Sequence, residues 1–211
     1  MVGDGGEALR LGPPMRGRLQ ARHSPADRVP SHGTDLFASA RALDLVPVDE
    51  RGRSAPLTPA ALLRPQEPEA SVGFGREVIS PAEGTVVRVH DGEEDHPAHR
   101  GVPSLRYALT QRGRLAQGWA ALAGNHLILR LAHEGGEVHL ALCHLQRGSI
   151  LVRPARTVHP GDLLARCGNS GNSTEPHLHL QVMTTADPTT ARAVAFDLPG
   201  GMPRNGRIIA L

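Results

Sequence analysis

Lysine is absent from the sequence, because all 23 basic side chains are arginine. This absence excludes mechanisms that need a lysine, such as a P-loop phosphate site, a Schiff base or the carrier lysine of biotinyl and lipoyl domains. Aromatic residues make up only 2% of the chain, so aromatic platforms for stacking nucleic-acid bases are not expected. The net charge is +2 without long runs of one sign, which indicates neither nucleic acid nor an anionic membrane as a partner.

Long apolar runs are also missing. The longest is the five-residue stretch from Trp119 to Ala123, far below the roughly 18 residues of a membrane-spanning helix. The first thirty residues lack the apolar stretch of a secretory signal, so the chain as written is expected to start in the cytosol. Two cysteines, Cys143 and Cys167, cannot form a four-cysteine zinc site and are predicted to be reduced thiols in strands.

Short apolar segments separated by glycine and proline predict a mainly β fold with little helix, built from strongly twisted antiparallel sheet. The hairpin across HEGG is the clearest local pattern, with Gly135 and Gly136 in its turn. Strands are predicted over residues 42–49, 77–80, 85–90, 125–132, 137–145, 162–167 and 177–183.

The remaining segments define the expected domain organisation. Residues 1–27 are rich in glycine, proline and arginine without periodicity, which predicts an irregular, loosely attached leader that can contribute an edge strand. Residues 28–211 are predicted to form a single β domain with long loops near 50–70 and 91–104. The stretch RYALTQRGRLAQGWAALAG is compatible with a short helix or with a loop over the sheet.

A group of histidines indicates a metal or catalytic site. His177 and His179 are two residues apart, so on a strand both rings lie on the same face. His144 ends an apolar strand, and Asp44 lies inside one, where an unpaired carboxylate is costly. Zinc prefers imidazole and carboxylate ligands, which makes His32 with Asp44 the upstream candidates. Asp35, three residues after His32, is a rival ligand.

Several of these motifs occur together in one stretch of the chain. It contains GTVVRV, a strand ending in CHL, the VHPGD turn, a GNSG loop and a terminal PHLH. From about Ile79 to Met183 the sequence closely resembles the lysostaphin/LytM-type family of zinc metallopeptidases. The segment VPSHGTDLFASARALDLVPVD is similar to the family's first motif in a stretched form, with eleven residues instead of three between His32 and Asp44.

The resemblance implies a lysostaphin-like fold of the duplicated hybrid motif (barrel-sandwich) type, with a groove above one zinc ion per chain. It implies His32, Asp44 and His179 as zinc ligands, and His144 and His177 as catalytic residues. The implied activity is a zinc metalloendopeptidase, here expected as a monomer, that uses metal-activated water to hydrolyse peptide bonds of bacterial peptidoglycan. The resemblance does not choose between a stem-peptide cross-link and a glycine-rich bridge, and it implies action at the cell wall.

Two alternatives remain open at this point. The first is a non-catalytic regulator of the same fold, although the five site positions are all filled. The second is a metal-free domain similar to sugar-phosphotransfer proteins, in which His144 and either His177 or His179 relay a phosphoryl group. Metal content separates the peptidase from the phosphotransfer domain, and Asp44 beside a phosphohistidine is electrostatically unfavourable.

Overall fold

The computed structural model describes residues 8–56, 58, 64–99, 117–134 and 136–211. Its strands are β1 (Leu9–Arg10), β2 (Arg18–Arg22), β3 (Leu43–Pro47), β4 (Glu77–Ile79), β5 (Gly84–His90), β6 (Asn125–His133), β7 (Gly136–Leu145), β8 (Thr157–Val158), β9 (Leu163–Arg166), β10 (Leu178–Met183), β11 (Phe196–Asp197) and β12 (Ile208–Ala210). Eight of them form an antiparallel sheet in the order β12-β2-β3-β10-β7-β6-β5-β8. Two-stranded pairs β1-β11 and β4-β9 complete the described sheets.

Helix contributes very little to the described residues. It consists of α1 (Trp119–Ala123) and two 3-10 segments, Leu36–Arg41 and Pro68–Ala70. The predicted mainly β class with antiparallel sheets is therefore confirmed. None of the helices in the described ranges is long and apolar enough to cross a membrane.

The centre of the large sheet is covered on both faces, which explains the continuous apolar runs in β6 and β7. Leu127, Leu129 and Leu131 of β6 alternate into the main core, which also takes apolar side chains from β3, β7 and β10. Ile128 points to the opposite face, where a smaller cluster contains Trp119 and Met183. The face with the smaller cluster also borders the candidate site. The strands that contribute side chains to the main core on one face therefore contribute the site residues on the other.

Part of the expected leader, Arg18–Arg22, forms an inner strand of the large sheet and neither a loose segment nor an edge strand. β2 lies inside the large sheet between β12 and β3, and its Leu19 and Ala21 are fully buried. The segment RLQAR alternates polar and apolar residues, but this pattern is only five residues long inside a glycine- and proline-rich stretch. Its burial supplies apolar contacts that a loose leader does not make.

All seven predicted strands are confirmed, each to within two residues at its ends. The hairpin is formed by β6 and β7, and Gly135 of its turn lies outside the described residues. The stretch predicted as a short helix or a loop contains α1 in its described part, and its residues 106–116 lie outside the described residues. The described part of the 91–104 loop is anchored by Asp95, whose carboxylate accepts the backbone N–H groups of Asn169 and Arg147.

The two cysteines are free, as predicted, and both are buried. Cys143 lies in β7 as predicted, whereas Cys167 directly follows β9. Cys143 packs in the smaller cluster, whereas Cys167 packs in the main core. Burial raises the pKa of both thiols, so they act as small apolar core residues.

Candidate metal and catalytic site

Asp44 is the centre of the candidate site. Its neighbours Leu43 and Leu45 point into the main core, so the alternation of β3 directs Asp44 to the opposite face. There it lies directly across the sheet from His179 of β10. Asp44 is only 6% exposed. A buried carboxylate needs charged or hydrogen-bonding partners, and histidine rings supply them.

The rings of His32 and His179 each direct one nitrogen at the Asp44 carboxylate. Nδ1 of His179 lies 2.8 Å from Oδ1, and Nε2 of His32 lies 3.3 Å from each carboxylate oxygen. The other nitrogen of each ring already has a partner: Nε2 of His179 lies 3.1 Å from Oε1 of Gln181, and Nδ1 of His32 lies 3.0 Å from Oγ of Ser31. Each ring is thus oriented by the contact on its far side.

The far-side partners are themselves fixed, which determines where the ring protons lie. The Gln181 side-chain amide donates to the carbonyl of Phe37 at 2.8 Å, so its oxygen faces His179 and accepts the Nε2–H. The Ser31 hydroxyl donates to the carbonyl of Ala42 at 2.8 Å and therefore accepts from Nδ1–H of His32. In these tautomers, Nδ1 of His179 and Nε2 of His32 face Asp44 with lone pairs.

This donor set fits a divalent metal ion such as zinc. Lone pairs on two ring nitrogens and a carboxylate repel one another unless a cation or a proton lies between them. Ligand atoms on a tetrahedral zinc are about 3.3 Å apart when the zinc–ligand distance is about 2.0–2.1 Å. The contacts of His32 to Asp44 match this separation, and that of His179 is somewhat shorter.

The electrostatics keep these groups in the forms that bind metal. Burial opposes the charge of Asp44, but the surrounding rings, above all His32 and His177, hold the pKa of this carboxyl well below its usual range. Burial lowers the pKa of His32. Metal ligands must be deprotonated, so a charged Asp44 and a neutral His32 favour binding.

His177 and His144 form a second pair of rings beside the carboxylate. Nε2 of His177 lies 3.6 Å from Oδ1 of Asp44, and the ring centroids of His144 and His177 are 4.7 Å apart. Nδ1 of His177 donates to the carbonyl of Glu175 at 2.8 Å, and Nδ1 of His144 donates to the carbonyl of Ser170 at 2.9 Å. Both rings therefore present Nε2 to the groove.

A β-bulge directs His144 towards this groove. The β6–β7 register runs from Asn125 opposite Leu145 to Leu127 opposite Leu142, which leaves two residues of β7 opposite one of β6. His144, one of these two, has a left-handed backbone with φ of 61°. A strand residue without this distortion alternates strictly between faces, whereas the bulge places the ring beside His177.

The paired rings have opposite preferences for a proton. Burial, followed by the nearby His177 and His179, lowers the pKa of His144 well below its usual value. Burial also disfavours charge on His177, but Asp44 outweighs it and raises the pKa of His177. One ring is therefore suited to accept a proton and the other to hold one.

A groove of about 410 Å³ gives access to these side chains. All five predicted residues line it, namely His32, Asp44, His144, His177 and His179. Asp35 is exposed and is absent from the lining, so Asp44 is the carboxylate that meets the rings. The roles assigned to the five residues stay predictions, but their convergence was expected from the sequence.

His23 is a residue of this cluster that the sequence did not reveal. Its Nδ1 lies 2.7 Å from Oδ2 of Asp44, and one ligand atom from each of His23, His32 and Asp44 lies within 4.8 Å of the others. It follows a strand inside the segment that was expected to be an irregular leader. The only signal in the sequence was the short alternation of RLQAR.

Comparison with known proteins supports the resemblance. Residues 110–191 match the model of peptidase family M23. An uncharacterised metalloprotease of Haemophilus influenzae is 31% identical over 111 residues, which are 53% of this chain and 17% of that protein. The chain thus spans only a small part of the curated relative. The resemblance to lysostaphin/LytM-type peptidases is confirmed, and the matched segment contains His144, His177 and His179.

Two solved structures also show some similarity to this chain. The catalytic domain of the antimicrobial peptidase lysostaphin from Staphylococcus simulans has a TM-score of 0.40 and 16% identity, covering 72% of this chain and 73% of that one. Csd3 of Helicobacter pylori has a TM-score of 0.43 and 12% identity, covering 97% of this chain and 35% of that one.

Proposed function

We propose that this M23-like chain is a zinc-dependent endopeptidase that hydrolyses peptide bonds of bacterial peptidoglycan. The observation that carries the proposal is the convergence of two preoriented ring nitrogens on the buried Asp44 carboxylate, beside a second pair of histidines. His32, Asp44 and His179 would hold one zinc ion. Three protein ligands are the usual number for a catalytic zinc, which keeps one position for water or substrate.

When bound, zinc supplies a Lewis acid that lowers the pKa of water towards about 7 and polarises a scissile carbonyl. The chain supplies the proton transfers. His144, held neutral by burial, accepts the proton of the attacking water at Nε2 and passes it to the leaving amine as the C–N bond breaks. His177 presents Nε2 beside the Asp44 carboxylate, where it would donate a hydrogen bond to the developing oxyanion.

The substrate class rests on the resemblance to lysostaphin/LytM-type peptidases and on the M23 match. The groove suits a peptide because its walls combine apolar and hydrogen-bonding side chains. The apolar residues include Leu36, Phe37, Trp119 and Leu122, and the polar ones include Thr34, Asn172 and Thr174. An extended peptide chain offers both apolar side chains and backbone polar groups to such walls.

Metal content is the first test of this function. Plasma mass spectrometry of the purified protein is expected to find about one zinc per chain, lost in Asp44→Ala and His179→Ala. His90→Ala serves as the control, because His90 is half exposed on β5 and is not part of the groove lining. Absence of zinc after remetallation would contradict the peptidase and favour the phosphotransfer or regulator alternatives.

Hydrolysis is the second test. Zinc-loaded protein is expected to release soluble fragments from purified peptidoglycan, and His144→Ala is expected to keep its zinc while losing about 10²–10⁴-fold in turnover. Zinc binding without hydrolysis of peptidoglycan or of model peptides would leave a non-catalytic metal-binding domain. Hydrolysis of unrelated peptides but not of peptidoglycan would refute the substrate class alone.

A further inference from the structure

His23 reaches the site through an unusual backbone conformation. Arg22, the last residue of β2, lies directly across from Asp44 in the antiparallel pair. The next residue of a regular strand would point to the opposite face of the sheet. His23 instead has a left-handed φ of 48°, and its ring lies on the Asp44 side. The change of direction comes directly after the end of β2 and brings a further imidazole to the carboxylate.

The residues on either side of His23 are tied down, so its position is defined although the ring is 54% exposed. Arg22 forms an ion pair with Glu175 on the loop before β10. Ser24 is fully buried: its N–H donates to Oδ1 of Asn205, and its hydroxyl donates to the carbonyl of Pro203. Contacts to two separate segments thus anchor the short stretch that carries His23.

The two oxygens of Asp44 face different partners. Oδ1 faces Nδ1 of His179 at 2.8 Å and Nε2 of His177 at 3.6 Å. Oδ2 faces Nδ1 of His23 at 2.7 Å, and His32 lies 3.3 Å from both oxygens. The far-side nitrogens of His32 and His179 donate to Ser31 and Gln181, whereas the described residues offer no acceptor to Nε2 of His23. The proton of the His23 ring therefore lies on Nδ1, where the carboxylate accepts it.

We infer that His23 is a positioning residue: it donates a hydrogen bond from Nδ1 to Oδ2 of Asp44 and thereby presents Oδ1 alone to the metal. This inference rests on the proposed function only in placing a metal ion at Oδ1. The terminal torsion of an aspartate is broad, so a carboxylate without this donor turns more freely and offers either oxygen. Hydrogen bonds that orient a ligand in this way typically contribute 10–100-fold to metal affinity.

The surroundings of the ring distinguish this role from that of a ligand. Histidines that bind metal almost always donate their other ring N–H to a carboxylate, a backbone carbonyl or water, and this contact fixes the ring. Protein side chains fix His32 and His179 in this way, namely Ser31 and Gln181, whereas the described residues give Nε2 of His23 no protein acceptor. His23 as a fourth protein ligand would also close the position that a catalytic zinc keeps for water.

Zinc affinity tests this role without using turnover. In competition with a chromogenic chelator, His23→Ala is expected to bind zinc 10–100-fold more weakly than the unaltered protein. His23→Asn is expected to recover most of the affinity, because an asparagine amide can donate from nearly the position of Nδ1 and tolerates a left-handed backbone. His90→Ala is the matched control and is expected to keep full affinity. Urea unfolding in EDTA verifies that all variants are folded.

The absorption spectrum of the cobalt-substituted protein tests whether His23 is itself a ligand. If His23 only positions Asp44, the d–d bands of His23→Ala keep the intensity of the unaltered protein once the site is saturated. A change in coordination number would overturn the inference, and so would unchanged zinc affinity in His23→Ala. Zinc affinity that depends on His23 in a protein without hydrolytic activity would refute the proposed function and leave the inference standing. A protein that binds no zinc would refute both.

Discussion

Replacing Gln181 with leucine tests how the orientation of His179 is maintained. Gln181 is 2% exposed and lies on β10 two residues after His179, on the same face. Its oxygen accepts the Nε2–H of His179 at 3.1 Å, and its amide donates to the carbonyl of Phe37 at 2.8 Å. Leucine has a similar volume and neither polar group, so Gln181→Leu removes both contacts with little change in packing.

The expected destabilisation comes mainly from His179. Its Nε2–H loses its acceptor at a side chain that is only 12% exposed. An unsatisfied buried donor costs about 1–3 kcal/mol, and we expect a loss of this size in the free energy of unfolding measured in EDTA. The carbonyl of Phe37, which also loses its hydrogen bond, adds little to the destabilisation, because Phe37 is half-buried and water can replace the lost donor. Replacing both the donor and the acceptor of a buried hydrogen bond by apolar groups costs less than removing one of them. In Gln181→Leu the donor, Nε2–H of His179, remains.

A larger loss is expected with zinc present. Without an acceptor on Nε2, the ring is free to adopt the tautomer that carries its proton on Nδ1, which faces Oδ1 of Asp44. That tautomer has no lone pair to offer a metal. A 10–100-fold loss of affinity adds about 1.4–2.7 kcal/mol to the destabilisation at saturating zinc.

Urea unfolding with EDTA and with excess zinc measures both losses. Gln146→Leu is the control, since Oε1 of Gln146 is buried and has no hydrogen-bond partner among the described residues. We expect the control to cost less than Gln181→Leu and to change by the same amount with and without zinc. Equal losses for Gln181→Leu under the two conditions would show that Gln181 does not set the tautomer of His179, and the reasoning would fail.

Two further predictions concern stability away from the metal ligands. Burial lowers the pKa of His126 to about 4, so between pH 7 and pH 5 the unfolded chain takes up a proton that the folded chain does not. The free energy of unfolding, measured in urea, should therefore fall by about 2 kcal/mol over this range because of His126. His126→Asn should not show this loss. An identical pH dependence in both proteins would contradict this assignment. Gly171 has φ of 70°, and a Cβ there would lie 2.4 Å from the backbone nitrogen of Gly124, so Gly171→Ala should cost about 2–5 kcal/mol. Gly200→Ala has a similar φ of 86° but open surroundings and should cost only about 1–2 kcal/mol, and equal thermal shifts for the two variants would refute the packing argument.

Much of the sheet could be predicted because its strands carry strong local patterns. The hairpin of β6 and β7 has long apolar stretches on either side of a glycine turn, and the structure differs from the prediction only at the ends. The approach of His177 and His179 to one carboxylate followed from the period of two residues along a strand. Such features depend on a few neighbouring residues, which is why one sequence contains them.

The missed features depend on long-range contacts. β2 has only two buried side chains, and they become recognisable as core residues only once β3 and β12 lie on either side. His23 is brought to Asp44 by a left-handed residue, and the strand alternation used for prediction would have placed it on the other face. The ring tautomers are set by carbonyls such as those of Ser170 and Glu175, whose positions follow from the loop conformation.

The eleven residues between His32 and Asp44 show how a stretched motif can still bring two site residues together. Hydrogen bonds from Ser31, just before this segment, connect its start to its end. The N–H of Ser31 donates to the carbonyl of Ala40 at 2.8 Å, and its hydroxyl donates to the carbonyl of Ala42. The loop is closed at its base, so the length of the insertion has little effect on the distance between the ends. Its middle, Leu36–Arg41, forms a 3-10 segment that contributes Leu36 and Phe37 to the groove. The middle of the segment therefore lines the groove, while the hydrogen bonds at its two ends keep Nε2 of His32 3.3 Å from Oδ1 of Asp44.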